Sequence, residues 1–279
     1  MALYESLRDA IRAEEPVALV TVVESETEAS PLGAKLLIRV DGEPEGSLGH
    51  PELDRVVARD ARAELDAGLS STRHYGPEGQ ARQTEVGVFI ESFAPPPRLL
   101  IFGAVDFTAA LTRVGKVLGY RVVVVDARPV FATAARFPMA DEVVVDWPDR
   151  YLAAHGQDLG PRDAVCVLTH DHKFDVPAVV AALATRVGYL GAMGSRRTDA
   201  ERRQRLRDAG VTDDQMERLM APIGLDIGAR TPEETAVSIC AEIIALRTGR
   251  RPPSLRDTEG PIHARGASDV PGGGAGGAA

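Results

Sequence analysis

The sequence predicts an α/β protein: a doubly wound parallel sheet in its C-terminal part and a smaller α+β domain before it. Three observations predict this. The run Leu99–Phe102 and the run Val122–Val125 are apolar without alternation, as parallel strands covered on both faces should be. Between them Phe107, Leu111, Val114 and Leu118 recur at helical spacing. Gly103 ends the first run and Asp126 the second, so strand, tight turn, helix, strand and acid follow in order. That is the opening unit of a Rossmann-like nucleotide-binding sheet.

The N-terminal elements follow from local signals. Residues 1–14 read as an amphipathic helix with Leu3, Leu7 and Ile11 on one face, ended by Pro16. Val17–Val23 and Lys35–Val40 read as strands, separated by the polar stretch Glu24–Ser30. Asp41-Gly42 opens a turn that runs into Gly46. Pro51 starts a helix to about Ala67, with Leu53, Val56, Val57 and Leu65 apolar. Val86–Ile90 is a further strand, and Pro95–Pro97 is a stiff break that marks the domain boundary. The expected division is residues 1–94, residues 98–248, and a flexible tail from 249 to 279.

In the C-terminal domain Glu142–Val145, Ala164–Leu168 and Gly188–Leu190 complete the strands. Helices are expected over Pro177–Thr185, over about Thr198–Ala209, after Thr212, and after Thr231-Pro232-Glu233-Glu234, which combines a cap, a proline and acids. Ile239, Ile243 and Leu246 give the last helix its apolar face. Gly266–Ala279 is Gly/Ala-rich and should be disordered.

Composition narrows the function. The 279 residues suit two domains, and 44% hydrophobic with 26% charged residues is ordinary for a water-soluble globule. A net charge of −9 argues against general nucleic-acid binding. Two cysteines make no disulfide framework and fit a reducing cytoplasm. No signal peptide and no run of membrane-spanning length is evident.

Ligands of an open parallel sheet bind at the carboxyl ends of its strands, and four stretches are expected there. They are Gly103–Asp106, Thr169–Asp175, Gly191–Arg197 and Ile223–Arg230. The first departs from a Gly-x-Gly-x-x-Gly fingerprint, with Val105 and Thr108 at the second and third glycine positions and Asp106 adding a carboxylate. Asp126, 23 residues after Gly103, is spaced as a ribose-binding acid or else simply ends its strand. Gly191, Gly194, Ser195, Arg196 and Arg197 suit an anion site, unless Ser195 or Thr198 only caps the following helix. His170, Asp171 and His172 suit hydrogen bonding to a ligand, with a solvated loop or a metal site as the other readings. Gly224, Asp226 and Gly228 shape the facing loop. Cys166 and Cys240 lie in apolar segments and read as buried hydrophobes, and no Ser-His-Asp arrangement is present. Trp147 and Tyr151 read as packing at a loop edge or lining the pocket.

The C-terminal half resembles the Rossmann-like domain of the XdhC/CoxI family, through LLIFGA, LGYRVVVVDARPVFATAARFP, ADEVV, GYLGAMGSRR and, most specifically, APIGLDIGARTPEETAVSICAEIIALR. ALVTVVESETEASPLGAKLLI and DGEPEGSLG extend the likeness over the N-terminal region. The family often carries Gly-Gly-Cys-Val-Glu after that hairpin; here Leu48-Gly49-His50-Pro51-Glu52 stands there, with His50 in the cysteine's place. Its usual GAGH turn is Gly103-Ala104-Val105-Asp106.

The resemblance implies an accessory protein of molybdenum hydroxylases. Such a protein binds the molybdopterin form of the molybdenum cofactor, protects it during sulfuration and helps to insert it into apoenzymes of the xanthine dehydrogenase or CO dehydrogenase type. A cysteine desulfurase-type sulfur donor and a homodimer are further expectations. On this reading the chain is a non-catalytic carrier. It holds the pterin between the strand-end loops and the N-terminal domain, with Ser195, Arg196 and Arg197 on the phosphate. The alternatives are an NAD(P)-binding oxidoreductase with a degenerate motif, and a scaffold that docks a molybdoenzyme through the basic helix Arg196–Arg207.

Overall fold

The computed structural model describes residues 2–81, 83–169, 171–249 and 257. The expected disordered tail, Gly266–Ala279, lies outside the described residues. The chain divides into two units, Met1–Pro96 and Pro97–Ala279.

The first unit contains α1 (Ala2–Arg12), β1 (Val17–Ser25), β2 (Lys35–Arg39), β3 (Glu45–Ser47), α2 (Pro51–Ala67), β4 (Ser71–Tyr75) and β5 (Val86–Phe93). Its sheet is antiparallel, in the order β3-β2-β1-β5-β4. The pleat of β1 sends Ala18, Val20 and Val22 into a core with Leu53, Val57 and Leu65 of α2. Val17 and Leu19 instead join Leu3, Leu7 and Ala10 of α1. Ile11, placed on the α1 apolar face by spacing, is exposed. The turn expected around Gly46 forms the short strand β3, and β4 was not expected at all; neither has an apolar run to announce it.

The second unit contains β6 (Arg98–Phe102), α3 (Asp106–Val117), β7 (Arg121–Val125), β8 (Glu142–Val144), α4 (Pro148–His155), β9 (Ala164–Val167) and α5 (His172–Leu183). It continues with β10 (Tyr189–Ala192), α6 (Arg196–Asp208), α7 (Asp213–Met216), β11 (Leu219–Met220) and α8 (Pro232–Arg247). All six strands are parallel, in the order β11-β10-β9-β6-β7-β8. Counted within the unit, this is sixth-fifth-fourth-first-second-third, the doubly wound order of a Rossmann-like sheet.

Both faces of β6, β7, β9 and β10 are buried, which is why their apolar runs do not alternate, whereas the edge strand β8 has no buried residue. Leu100, Phe102, Val123, Val125, Val165 and Val167 pack against α4, α5 and α6. Leu99, Ile101, Val122, Val124 and Cys166 pack against α3 and α8. Leu111 is buried on α3, but Leu118 lies just beyond it and is exposed, as is Leu246 in the last turn of α8.

Helix α5 begins at His172, five residues before the expected start at Pro177. Asp171 caps it by accepting from the Lys173 N–H at 3.0 Å. Pro177 lies inside the helix, where its ring leaves the preceding turn one hydrogen bond short. Among the described residues no helix is long and apolar enough to cross a membrane.

Candidate functional site

The order of the second sheet reverses between β6 and β9, so the loops after these strands part and leave a crevice at the carboxyl edge. A cavity of about 440 Å³ lies there, lined by Val105, Arg128, Thr169, Asp171 and His172. Three loops meet in it, those after the unit's first, second and fourth strands.

The first wall is the turn after β6. Gly103 has φ +112°, and its N–H donates to the Val125 carbonyl at 2.9 Å. A Cβ at this position would stand 2.9 Å from the Thr169 nitrogen, so only glycine lets the two loops approach so closely. The Ala104 N–H donates to Asp126 Oδ2 at 2.7 Å, and the Val105 N–H to Thr108 Oγ1 at 3.3 Å. The Ala104 carbonyl accepts from Arg136 Nη1 at 3.1 Å. The turn is therefore clamped, and the N–H groups of Ala104 and Val105 are already spent.

The second wall follows β7. Asp126 is buried and accepts four hydrogen bonds. They come from Ala104 N–H at 2.7 Å, Arg128 N–H at 2.9 Å, Arg128 Nε at 2.9 Å and Arg128 Nη2 at 2.7 Å. A carboxylate offers about four lone-pair sites, so no acceptor capacity remains for a ribose diol. Burial pushes the Asp126 carboxyl up, but the guanidinium and the two N–H groups outweigh it and hold it below its ordinary value. The same ion pair raises the Arg128 guanidinium against the cost of its partial burial. The ring of Phe131 lies 4.6 Å from the Arg128 guanidinium carbon.

The third wall follows β9. Thr169 is buried, and its hydroxyl accepts from the Asp171 N–H at 3.2 Å. Asp171 caps α5, and His172 is the exposed first residue of that helix. His170 lies outside the described residues. Phe174 packs against Trp147 at 4.9 Å between ring centroids with the rings tilted by 45°, while Tyr151 is buried edge-on to Phe102.

The first turn of α5 is fixed from behind. Arg202 of α6 is 1% exposed and grips both oxygens of buried Asp175, from Nε at 2.9 and 3.0 Å. Its Nη2 donates to the Met193 carbonyl at 2.6 Å and its Nη1 reaches Asp199 at 3.4 Å.

The other two stretches begin on the same edge and diverge. Ser195 caps α6, its hydroxyl accepting from the Thr198 N–H at 3.1 Å. Arg197 is exposed and pairs with Glu201 at 3.1 Å, while Arg196 is half-buried at the first position of α6. Gly194 has φ +155°, and a Cβ there would meet Thr198 and Arg202. Gly191 lies within β10, where a Cβ would strike Ile223 at 2.5 Å. Gly224 donates its N–H to Glu242 of α8 at 2.9 Å, and Glu242 also accepts from the Tyr189 hydroxyl at 2.7 Å. Asp226 and Gly228 are exposed. One loop thus joins the α5/α6 face of the sheet and the other the α3/α8 face. Among the described residues neither contributes to the cavity lining.

Cys166 and Cys240 are buried on the α3/α8 side, and burial pushes both thiols up, Cys240 to about 12. Among the described residues no three His, Cys, Asp or Glu side chains gather as a metal-ligand set. Sequence reasoning missed Arg128 and Arg202. Arg128 had a faint signal, an arginine two residues after the strand-ending acid; Arg202 was one arginine among several in a charged helix.

A family model described as the XdhC Rossmann domain matches residues 99–243, and one described as the XdhC and CoxI family matches residues 10–76. The chain belongs to the XdhC and CoxI family. A probable xanthine dehydrogenase subunit of Bacillus subtilis is 34% identical over 160 residues, covering 57% of this chain and 46% of that protein. The molybdenum cofactor insertion chaperone PaoD of Escherichia coli is 28% identical over 182 residues, covering 62% and 50%. This XdhC/CoxI chain spans about half the length of these relatives. A crystal structure described as a xanthine dehydrogenase from Bacillus halodurans is 22% identical with a TM-score of 0.49, covering 88% of this chain and 96% of that one.

Proposed function

We propose that this chain is a cytoplasmic maturation factor for a molybdenum hydroxylase of the xanthine dehydrogenase or CO dehydrogenase type. It binds the molybdenum cofactor as cargo and hands it to the apoenzyme without transforming it. The observation that carries the reading is the cavity at the switch point of a family member's Rossmann-like sheet. Its volume of about 440 Å³ lies within the roughly 300–1,000 Å³ of small-molecule sites. Its walls suit a polar ring system: one oxygen of the Asp171 carboxylate has no hydrogen-bond partner among the described residues and suits the donors of an aminopyrimidinone edge, and Thr169 and His172 add a hydroxyl and an imidazole. The name of the Escherichia coli relative, a cofactor insertion chaperone, supports the same role. The cysteines are buried with raised thiols, which suits a holder better than a sulfur-transfer catalyst.

In this reading His170, which lies outside the described residues, is a further contact to the cargo by its place in the sequence. We propose Ser195, Arg196 and Arg197, with Gly191 and Gly194, as a separate contact outside the cavity lining, one strand over from β9. Gly224, Asp226 and Gly228 shape the loop beyond. A sulfur donor of the cysteine desulfurase type and the apo-hydroxylase are the partners, and a homodimer is the proposed assembly. The chain should bind molybdopterin saturably under anaerobic, reducing conditions and transfer it to an apo-hydroxylase. Absence of saturable binding rejects the proposal.

The oxidoreductase alternative rested on Asp126 and the first turn. Asp126 has its acceptors filled, and the Ala104 and Val105 N–H groups are spent, so the contacts that a dinucleotide uses are already made within the chain.

A further inference from the structure

In a doubly wound nucleotide-binding sheet the backbone N–H groups of the first turn cradle a pyrophosphate. Here a carboxylate of the chain itself sits in that seat: Asp126 Oδ2 is 2.7 Å from the Ala104 nitrogen. Val105, where a glycine would admit the pyrophosphate, lines the cavity, and the Asp106 side chain stands 92% exposed at the next position. A pyrophosphate meets the spent N–H groups of Ala104 and Val105, a branched residue at the second glycine position and the carboxylates of Asp126 and Asp106.

The described cavity lining still holds one guanidinium. Arg128 has five N–H donors and gives two to Asp126, from Nε and Nη2. Three have no partner among the described residues. The guanidinium is pre-oriented by the two-pronged grip of Asp126 and by the face of Phe131. A planar fork held this way, with donors left over, is the arrangement that recognises a single tetrahedral anion. Asp171 shares the lining and opposes a second negative group nearby, which sharpens the preference for one phosphate over two.

We infer that Arg128 is the anion anchor of the switch-point cavity and that the ligand it takes is a phosphate monoester, not a pyrophosphate. The inference rests on the cofactor-carrier reading and deepens it by naming the residue that takes the phosphate of the cargo.

The test titrates the full chain, anaerobically, with three preparations: molybdopterin, the same cofactor after phosphatase treatment, and a dinucleotide form. The native chain should bind the monophosphate at least about tenfold more tightly than the other two, the scale of one charge-assisted contact. Arg128→Gln should bind the monophosphate and the dephosphorylated form equally, and the latter as tightly as the native chain does, which shows that the cavity persists. Arg128→Lys keeps the charge that balances Asp126 and should lie between. Retained discrimination in Arg128→Gln overturns the anchor. Equal binding of the dinucleotide form by the native chain overturns the monoester preference. Equal binding of all three leaves the carrier reading standing and removes this inference; no binding of any form removes both.

Discussion

Replacing Arg202 by methionine tests how the cavity wall is held. The side chain is 1% exposed and joins α6 to Asp175 in the first turns of α5 and to the carbonyl of Met193 after β10. Removing one partner of a buried pair costs about 3–5 kcal/mol, because the other charge stays buried. With a urea slope of about 2 kcal/mol/M, the unfolding midpoint of this unit should fall by about 2 M. The chain has one tryptophan, Trp147, and it packs against Phe174, the neighbour of Asp175, so its fluorescence reads the affected region. The double variant Arg202→Met/Asp175→Leu removes both charges and should recover to within about 1–2 kcal/mol of the native chain. A midpoint shift below about 0.5 M in the single variant, or a double variant worse than the single, would refute the claim that this pair fixes α5.

Gly103→Ala should cost about 1–3 kcal/mol, since it combines positive φ with a Cβ 2.9 Å from the Thr169 nitrogen. Gly228→Ala, with positive φ but nothing within 4 Å, should cost only about 1 kcal/mol; urea midpoints compare the two. Cys166 and Cys240 should resist alkylation at pH 8 in the native chain and react in urea, because burial raises both thiols, Cys240 to about 12; rapid labelling of two thiols in the native chain contradicts this. Asp126 is held below its ordinary carboxyl value, so its contribution to stability is full above about pH 4 and is lost as pH falls through the lowered folded value. The stability gap between the native chain and Asp126→Asn should therefore narrow from pH 5 to pH 3, and a gap that widens on acidification reverses the assigned sign.

The parallel sheet was legible because doubly covered strands are continuous apolar runs, and Leu99–Phe102 and Val122–Val125 have no other reading that fits the intervening helix. The short strands β3 and β11 were not, since Glu45-Gly46-Ser47 and Leu219-Met220 hold their place by pairing with a neighbour and not by their own composition. Two of the four suggestive loops do meet in the cavity, through Val105 and through Thr169, Asp171 and His172. The start of α5 was misplaced because Pro177 looked like a first-turn proline, while the cap was Asp171. Arg128 stayed hidden for a different reason. Whether an arginine two residues past a strand returns to the strand edge depends on the path of the whole loop, here fixed by Asp126 and Phe131.

A carrier has to release what it binds, and the proposed site is built accordingly. Retaining a ligand with a dissociation constant of about 1 μM requires roughly 8 kcal/mol. At an association rate of about 10⁶ M⁻¹s⁻¹, that ligand leaves about once per second. A clamped pyrophosphate seat with several backbone donors would add contacts of about 1.5–3 kcal/mol each to a charged group and slow release by orders of magnitude. Asp126 takes the Ala104 N–H and Thr108 the Val105 N–H, so two of those donors are spent, and Asp126 also holds the guanidinium of Arg128, which lines the cavity. The cost of burying Asp126 is offset within the protein by its four hydrogen bonds, so it does not have to be met by ligand affinity. On the proposed reading, one substitution of carboxylate for phosphate changes a site that retains its ligand into a site that passes it on.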